Sequence, residues 1–370
     1  MKNSTILAIL AASTLSLTAC AHNTRVYFGT GKGIYFADLD SVEGTLSEAQ
    51  LAITLENSGF IVVHPNKKFI YSTSATNGTG AVAAMKINED GTLSLLNKQS
   101  SEGDNPCHVS LDASGQMLMT ANYSSGSVAS FRIQEDGSLS KAKSTHQHEG
   151  SGSDPSRQQK PRAHSIFPNP ENTFAYAPDL GIDKVMIYKL DPKEGTLSAA
   201  GFAGIPGGRM GPRHMKWSAN GQYAYVLNEP DSSISVFRPG KTSGSLEFIE
   251  TRSTLPEGKD KTRMFCAEIR IHPNGRFIYA SNRDSTRQGR DSISVFSRFE
   301  DDFQRLETTP VQVWYPRNFN IDPSGKWLIV GGQKSRDIAL FKINPETGAL
   351  EHTGRKIPFN GDPICIEFLD

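Results

Sequence analysis

The sequence has no excess of either charge and lacks the common hydrolase motifs. Its 370 residues include 39 basic and 39 acidic side chains, and no basic block stands out. Nucleic acids require a stripe of positive charge against their phosphates, so a nucleic-acid partner is not expected. No GxSxG turn and no Ser-His-Asp order is apparent, which argues against the common serine hydrolases. A charged ligand must therefore be bound locally, by a few side chains.

The sequence also lacks an N-terminal apolar segment long enough for a comfortable membrane span. Lys2 precedes an apolar stretch from Ile6 to Leu17, whereas a helical span needs about 20 residues. Small residues then precede Cys20, as in a bacterial lipoprotein cleavage site. We therefore expect residues 1–19 to be a signal peptide and Cys20 to be the lipidated first residue. In an ordinary signal peptide, which is the alternative, Cys20 would be incidental.

A lipidated Cys20 would place the protein outside the cytoplasm, anchored to a membrane. Ala21 follows the cysteine, and a residue other than Asp at this position resembles the outer-membrane sorting rule of Gram-negative bacteria. We expect an exported lipoprotein that faces the periplasm or the cell surface, on the outer membrane rather than the inner one.

Few cysteines are left for disulfides. If Cys20 is lipidated, an odd number remains, namely Cys107, Cys266 and Cys365. All three lie in apolar, strand-like runs, so we expect buried thiols without a partner. One disulfide with one free thiol is the alternative.

Short polar turns recur along the whole chain. A turn of the form acidic-Gly-small-Leu appears first at residues 43–46 and last at residues 347–350, and seven copies, some degenerate, lie roughly 50 residues apart. Glycine provides the positive φ that tight hairpins need. Strand-like runs and a second polar turn lie between these copies, with His64 and His272 expected at the surface. Each repeat therefore contains four short strands, and no helix of useful length is predicted.

Four-stranded units at this period are typical of propeller blades. We predict that residues 20–370 form a single all-β domain, a seven-bladed β-propeller. The chain starts in the middle of a blade, and its last apolar run, PICIEFL, looks like the missing inner strand of the first blade. The two termini would then share one blade and remove a sheet edge. A pair of β-sandwiches, the competing fold, does not explain the repeat count.

One long segment interrupts the repeats. Residues 144–161 are rich in Gly, Ser, Gln and charged residues, and a long loop in a compact repeat is usually functional or disordered. In a propeller it would cap one mouth of the central channel. His146 and His148 alternate with Glu149, but no further His or Cys completes a metal site. We expect these histidines to be solvated loop residues, and we expect no metal.

Polar residues recur at the same place in successive blades, where a propeller directs them into its central channel. On the predicted inner strands these residues are His108, His164, Arg213, His214, Glu268, Arg317 and Asn318. The loops after the second strands add Glu229, Arg283 and Gln333. We expect them to converge on one cavity. Because Arg213 and His214 are consecutive, they should point to opposite faces of their strand.

The motifs around these residues resemble those of the lactonases with a seven-bladed propeller, a family that includes bacterial 6-phosphogluconolactonase. They read GPRHMKWSANGQYAYVLNEPDSSISVF, HPNGRFIYASNRD, YPRNFNIDPSGKWLIVGGQKS and HQHEGSGSDPSRQQKPRAHSIF. The resemblance covers essentially the whole mature chain and implies a monomer that hydrolyses a sugar lactone without a cofactor. One departure is Arg162, where the subgroup usually has His, which leaves the shape or charge of the pocket open.

The resemblance implies roles for individual residues. The catalytic set would be His164, Arg213, Glu229 and Arg283. Lactone opening needs a base that activates water and a group that stabilises the oxyanion. Glu229 or His164 would be the base, a choice that stays open, and Arg213 and Arg283 would bind anions. From their recurring place in the blades, and not from the resemblance, we expect the substrate-binding set to be His108, His214, Glu268, Arg317, Asn318 and Gln333.

Other functions compete with this one. A propeller of the cell envelope could be a non-catalytic binding or assembly platform, because a fold alone does not establish activity. Four such polar groups in one channel favour an enzyme over a scaffold. A cycloisomerase of the fungal carboxymuconate type, which shares the fold, would need the same arginines. Export also favours an aldonolactone or another cyclic ester over a phosphorylated cytoplasmic metabolite.

Overall fold

The computed structural model describes residues 23–299 and 302–369, so Cys20 and the expected signal peptide lie outside the described residues. The described chain forms 29 strands in seven antiparallel sheets, and it contains no helix. It therefore also contains no helix long and apolar enough to cross a membrane. The predicted seven-bladed propeller is confirmed.

Blades two to seven are each built from four consecutive strands. The first blade begins with β1 (Asn23–Gly29), β2 (Gly33–Asp40), β3 (Thr45–Leu46) and β4 (Gln50–Thr54). The second blade comprises β5 (Ile61–Val63), β6 (Phe69–Thr76), β7 (Thr79–Ile87) and β8 (Leu93–Ser100). The third comprises β9 (Pro106–Leu111), β10 (Met117–Asn122), β11 (Ser127–Ile133) and β12 (Leu139–Gln147). The fourth comprises β13 (Phe167–Pro168), β14 (Phe174–Asp179), β15 (Lys184–Asp191) and β16 (Thr196–Gly204).

The remaining blades follow the same order. The fifth comprises β17 (Pro212–Trp217), β18 (Ala224–Asn228), β19 (Ser233–Pro239) and β20 (Leu246–Ser253). The sixth comprises β21 (Met264–Ile271), β22 (Phe277–Asp284), β23 (Ser292–Phe299) and β24 (Asp302–Pro310). The seventh comprises β25 (Pro316–Ile321), β26 (Trp327–Gly332), β27 (Asp337–Ile343) and β28 (Leu350–Pro358). The last strand is β29 (Cys365–Leu369).

The last strand closes the ring. β29 pairs antiparallel with β1, with Leu369 opposite Arg25 and Cys365 opposite Gly29, so it becomes the inner strand of the first blade as predicted. Neighbouring blades meet through their inner strands, and β29 lies against both β25 and β5. The inner strands therefore surround the centre, and polar groups at their ends face one another.

The recurring turns connect several blades to the next one through tyrosine hydrogen bonds. Tyr71 Oη donates a hydrogen bond to the carbonyl of Gly137 at 2.9 Å, and Tyr279 Oη donates to that of Gly348 at 2.8 Å. In each pair the tyrosine lies on a second strand and the glycine lies in the outer turn of the following blade. His272 makes a similar contact, with Nε2 2.8 Å from the carbonyl of Gly325. The expectation of a surface residue is wrong for His272, which is 6% exposed.

The three cysteines within the described residues are free thiols, as predicted. Cys266 and Cys365 are buried, whereas Cys107 is only partly buried. The expectation of full burial is therefore wrong for Cys107. This residue is the second of β9, the inner strand of the third blade, and it lines a cavity.

Ring closure depends on apolar contacts of β29 with two blades. Ile366 is fully buried in a cluster with Val26 of the first blade and Ile329 of the seventh. We predict that Ile366→Ala lowers the free energy of unfolding by about 2–5 kcal/mol, because it leaves a cavity at the joint. Chemical denaturation would measure the loss. Phe202→Ala is the control, since Phe202 is 56% exposed, and equal losses in both variants would contradict the prediction.

Candidate active site

Irregularities in the inner strands direct consecutive side chains towards the channel. The pairing of β17 with β18 shifts between Pro212 and His214, and that of β25 with β26 shifts between Pro316 and Asn318. A β-bulge interrupts the alternation of side chains, so neighbouring residues can turn to one side. The expectation that Arg213 and His214 face opposite sides is therefore wrong, because Arg213 Nη1 lies 3.0 Å from His214 Nε2.

The carboxylate of Glu229 lies at the centre of a cluster of guanidinium groups. Its Oε2 atom accepts a hydrogen bond from Arg213 Nε at 2.8 Å and lies 3.0 Å from Arg283 Nη2. Its Oε1 atom lies 2.7 Å from Arg157 Nη1. Burial would raise the pKa of Glu229, but Arg283, Arg157 and Arg213 together lower it well below its usual range. Glu229 is therefore ionised at neutral pH.

The backbone also holds two of these arginines. Arg213 Nη1 donates to the carbonyl of Ala267, and Arg283 Nη2 donates to that of Cys266 at 2.8 Å. Both side chains are 2% exposed. Burial, followed by the nearby Arg317, lowers the pKa of Arg213 to about 10, so Arg213 keeps its charge at neutral pH. Two buried cations thus share one carboxylate.

His164 lies beside this cluster. Its Nε2 atom lies 4.0 Å from Glu229 Oε2 and has no hydrogen-bond partner in the described part of the chain. On the other side of the ring, Nδ1 lies 3.8 Å from Cys107 Sγ. Burial, followed by the charge of Arg213, lowers the pKa of His164 well below its usual 6.5. The imidazole is therefore neutral at neutral pH, and the structure brings all four expected catalytic residues together.

A buried network lies below Arg213 in the channel. Arg213 donates to His214 Nε2, so that nitrogen must be the acceptor and Nδ1 must carry the proton. His214 Nδ1 then donates to Glu268 Oε1 at 3.2 Å, and Asn318 Nδ2 donates to Glu268 Oε2. The network fixes the tautomer of His214 and thereby the position of the Arg213 guanidinium.

A layer of rings separates two cavities. The centroid of the His108 ring lies 4.4 Å from that of Phe60 and 4.5 Å from that of Phe167, and His214 packs at its edge. On one side lies a cavity of about 500 Å³, lined in part by Cys107. On the other side lies a cavity of about 270 Å³. We call these the upper and the lower cavity.

The expected substrate-binding residues divide between these regions. Arg317 and Gln333 line the upper cavity. His108 and Glu268 line the lower cavity instead, and His214 and Asn318 belong to the buried network between the two. The guanidinium of Arg317 has no hydrogen-bond or ion-pair partner among the described residues. Its donors are therefore available to a ligand.

The inserted segment reaches the cluster of charges around Glu229. Its Arg157 contacts Glu229 and was not singled out by the sequence, in which it is one of several charged residues of a polar loop. The expectation of a solvated His148 is wrong, because this residue is 2% exposed and its Nδ1 lies 2.6 Å from Asp179 Oδ2. Its Nε2 lies 2.8 Å from Tyr188 Oη, so both ring nitrogens have protein partners. Across the described ranges, no group of three or more His, Cys, Asp or Glu residues could hold a metal ion.

Comparison with known proteins identifies the family. The family model described as lactonase, 7-bladed beta-propeller, matches residues 17–368, and the chain belongs to this family. It is 35% identical over 346 residues to 6-phosphogluconolactonase of Bacillus subtilis (strain 168), covering 92% of this chain and 95% of the relative. It is 34% identical over 342 residues to 6-phosphogluconolactonase of Formosa agariphila, covering 90% and 94%.

A solved structure with the same fold is the periplasmic gluconolactonase PpgL of Pseudomonas aeruginosa. Its TM-score to this chain is 0.86 at 25% identity, and the match covers 94% of this chain and 99% of that structure. The whole propeller is therefore shared, including all seven blades that carry or surround the site.

The charge cluster around Glu229 should make the free energy of unfolding depend on pH. Because the pKa of Glu229 is lower in the folded than in the unfolded chain, its ionisation stabilises the fold above about pH 4.5, and this stabilisation declines as the pH falls through the lowered pKa. Glu229→Gln leaves buried guanidinium groups without their counter-charge and should cost about 3–5 kcal/mol at pH 7.

Chemical denaturation at pH 7 and at progressively lower pH tests this. The stability difference between wild type and Glu229→Gln should shrink as the pH falls below 4.5. The exposed Glu89 makes Glu89→Gln a matched control, for which no such difference is expected. A difference for Glu229→Gln that stays constant with pH would contradict the assignment.

Proposed function

We propose that this propeller hydrolyses a sugar lactone at the upper mouth of its channel, with His164 as the general base. One observation carries the choice of base. Glu229 is ion-paired with three arginines at 2.7–3.0 Å, which makes it a weak proton acceptor. His164 is neutral, and its unbonded Nε2 lies 4.0 Å from Glu229 Oε2. The family to which the chain belongs supports the reaction type.

The reaction follows from these roles. His164 Nε2 takes a proton from water as the water oxygen attacks the lactone carbonyl. The imidazolium that forms lies beside the carboxylate of Glu229 and is stabilised by it. Arg317, whose donors have no protein partner, stabilises the oxyanion. The ring C–O bond then breaks, and the leaving alkoxide takes the proton from His164, which gives an open-chain hydroxy acid.

Arg213 and Arg283 act mainly on Glu229. Arg213 Nε and Arg283 Nη2 are directed to its carboxylate, and each arginine also donates to a backbone carbonyl, so they hold the carboxylate next to His164. Glu268 and His214 support Arg213 from below, as positioning residues. Gln333 lines the upper cavity and is placed to bind a hydroxyl group of the sugar. The site is contained within one chain, which supports a monomeric enzyme.

The relatives' names favour a lactone of an aldonic acid as the substrate class. We propose δ-gluconolactone or a close analogue, since two relatives are named 6-phosphogluconolactonase and one solved structure is a periplasmic gluconolactonase. No cofactor or metal is required by the reaction as written. Turnover of no lactone above the spontaneous rate would contradict the proposed function and favour a non-catalytic propeller.

The choice of base is tested by replacing His164. We predict that His164→Gln lowers kcat for lactone hydrolysis by about 10²- to 10⁴-fold, because a general base typically contributes this factor. In the wild type, kcat/KM should stay constant down to pH 6.5 and fall only below it, because the pKa of His164 is lowered and the neutral ring is the active form. A pH-stat assay of lactone hydrolysis measures the kcat of His164→Gln and the pH dependence of kcat/KM in the wild type.

The matched control is His352→Gln, which replaces a histidine of the outer strand β28 and should leave hydrolysis at the wild-type rate. A His164→Gln enzyme within tenfold of wild type, together with a much larger loss in Glu229→Gln, would assign the base to Glu229 instead.

We propose that the protein is exported and anchored through a lipid on Cys20, on the periplasmic or outer surface of a membrane. The small residues before Cys20 support this, and the solved structure of a periplasmic relative supports export. We predict that wild-type protein incorporates labelled palmitate and sediments with membranes, whereas Cys20→Ser does neither. Labelled, membrane-bound Cys20→Ser would contradict the anchor, and Cys107→Ser, which should behave as wild type, is the control.

A further inference from the structure

The inserted segment is rigidly attached to the propeller close to Arg157. The neighbouring Gln158 is fully buried, and its Nε2 donates to the carbonyl of Leu180 at 2.9 Å and to Asp183 Oδ1 at 2.6 Å. Arg162 Nε donates to the carbonyl of Arg157 at 3.0 Å. The backbone of Arg157 is therefore fixed from both sides. Only its side chain has room to change position.

The guanidinium of Arg157 differs from the other two that contact Glu229. It is 29% exposed, whereas those of Arg213 and Arg283 are 2% exposed. Its contacts are an ion pair with Glu229 Oε1, a hydrogen bond from Nη2 to Tyr123 Oη at 3.3 Å, and a position over the ring of Phe265, 5.6 Å from its centroid. It donates to no backbone carbonyl in the described structure. Of the three arginines, Arg157 alone can leave Glu229 without becoming an unpaired buried charge, because its guanidinium reaches solvent.

The guanidinium groups around Glu229 carry more positive charge than the nearby carboxylates compensate. Three guanidinium groups contact Glu229, and Arg317 is close enough for its pKa to respond to both Glu229 and Arg283. Glu229 is the one carboxylate that these four cations share, and Glu268, which also acts on Arg213, is itself paired with His214 and Arg270, so positive charge stays in excess. A neutral ligand would leave this excess unchanged, whereas an anionic ligand would reduce it and gain charge-assisted hydrogen bonds.

We propose that Arg157 is a specificity-determining residue that binds an anionic substituent of the lactone, either a phosphate or a carboxylate. On binding, its guanidinium exchanges Glu229 Oε1 for an oxygen of the substituent, while its fixed backbone keeps it at the mouth. The released Glu229 carboxylate then has one cation fewer and stabilises the imidazolium of His164 more strongly. Recognition of the anion is thus coupled to the chemical step.

This inference rests on the proposed lactonase function. Three substrates distinguish a failure of the lactonase function from a failure of the role proposed for Arg157. They are D-glucono-δ-lactone, which is neutral, its 6-phosphate, and D-glucaro-1,4-lactone, which carries a carboxylate. We expect Arg157→Met to lower the ratio of kcat/KM for an anionic lactone to that for the neutral one at least tenfold. The anion whose ratio falls more identifies the substituent. Arg157→Lys keeps the charge and should restore part of the ratio.

The matched control is Arg209→Met. Arg209 also contacts the inserted segment, with Nη2 3.4 Å from Asp154 Oδ2, but it is 65% exposed and outside the site. For Arg209→Met, the ratio of kcat/KM for an anionic lactone to that for the neutral one should equal the wild-type ratio. If wild-type protein hydrolyses none of the three lactones, the proposed function fails. If it hydrolyses only the neutral lactone, or if Arg157→Met lowers all rates equally, lactonase activity stands and the role of Arg157 is overturned.

Discussion

The pairing of β29 with β1 is the contact on which the site depends. It joins the two ends of the described chain in one blade and seats Ile366 between the first and seventh blades. His164, Glu229 and Arg283 come from three successive blades, so their separation is set by the curvature of a closed ring rather than by any local turn. A ring that opened at the first blade would lose the pairing of β29 with β1 and would no longer hold these three blades at a fixed curvature.

Glu229 both pairs with buried positive charges and takes part in the proposed chemistry. Arg213 and Arg283 are buried guanidinium groups, which are tolerated only when paired, and Glu229 provides the pair. The pairing keeps the carboxylate ionised, and in the proposed mechanism this carboxylate stabilises the imidazolium that forms at His164. A change at Glu229 therefore affects folding and reactivity together, whereas a change at Arg157, which is partly exposed, can affect reactivity with less effect on the fold.

Much of the fold could be predicted from the sequence because its signals are periodic. The recurring glycine turns and the unpaired final run indicate seven blades and their closure. Convergence of His164, Arg213, Glu229 and Arg283 also follows from register. The contact between Arg213 and His214 could not be predicted, because a bulge shifts one residue without leaving a compositional signal. The role of Arg157 and the burial of His148 depend on how the inserted segment is anchored, which only tertiary contacts such as those of Gln158 determine.

The layer formed by His108, Phe60, Phe167 and His214 divides the channel, and this has a kinetic consequence. Because this ring layer lies between the upper and the lower cavity, the hydroxy acid of the proposed reaction would leave on the side from which the lactone entered. Product and substrate would then compete for the same arginines. Because ring opening creates a new carboxylate, the product is the more anionic of the two. The enzyme therefore works best where something downstream removes its product.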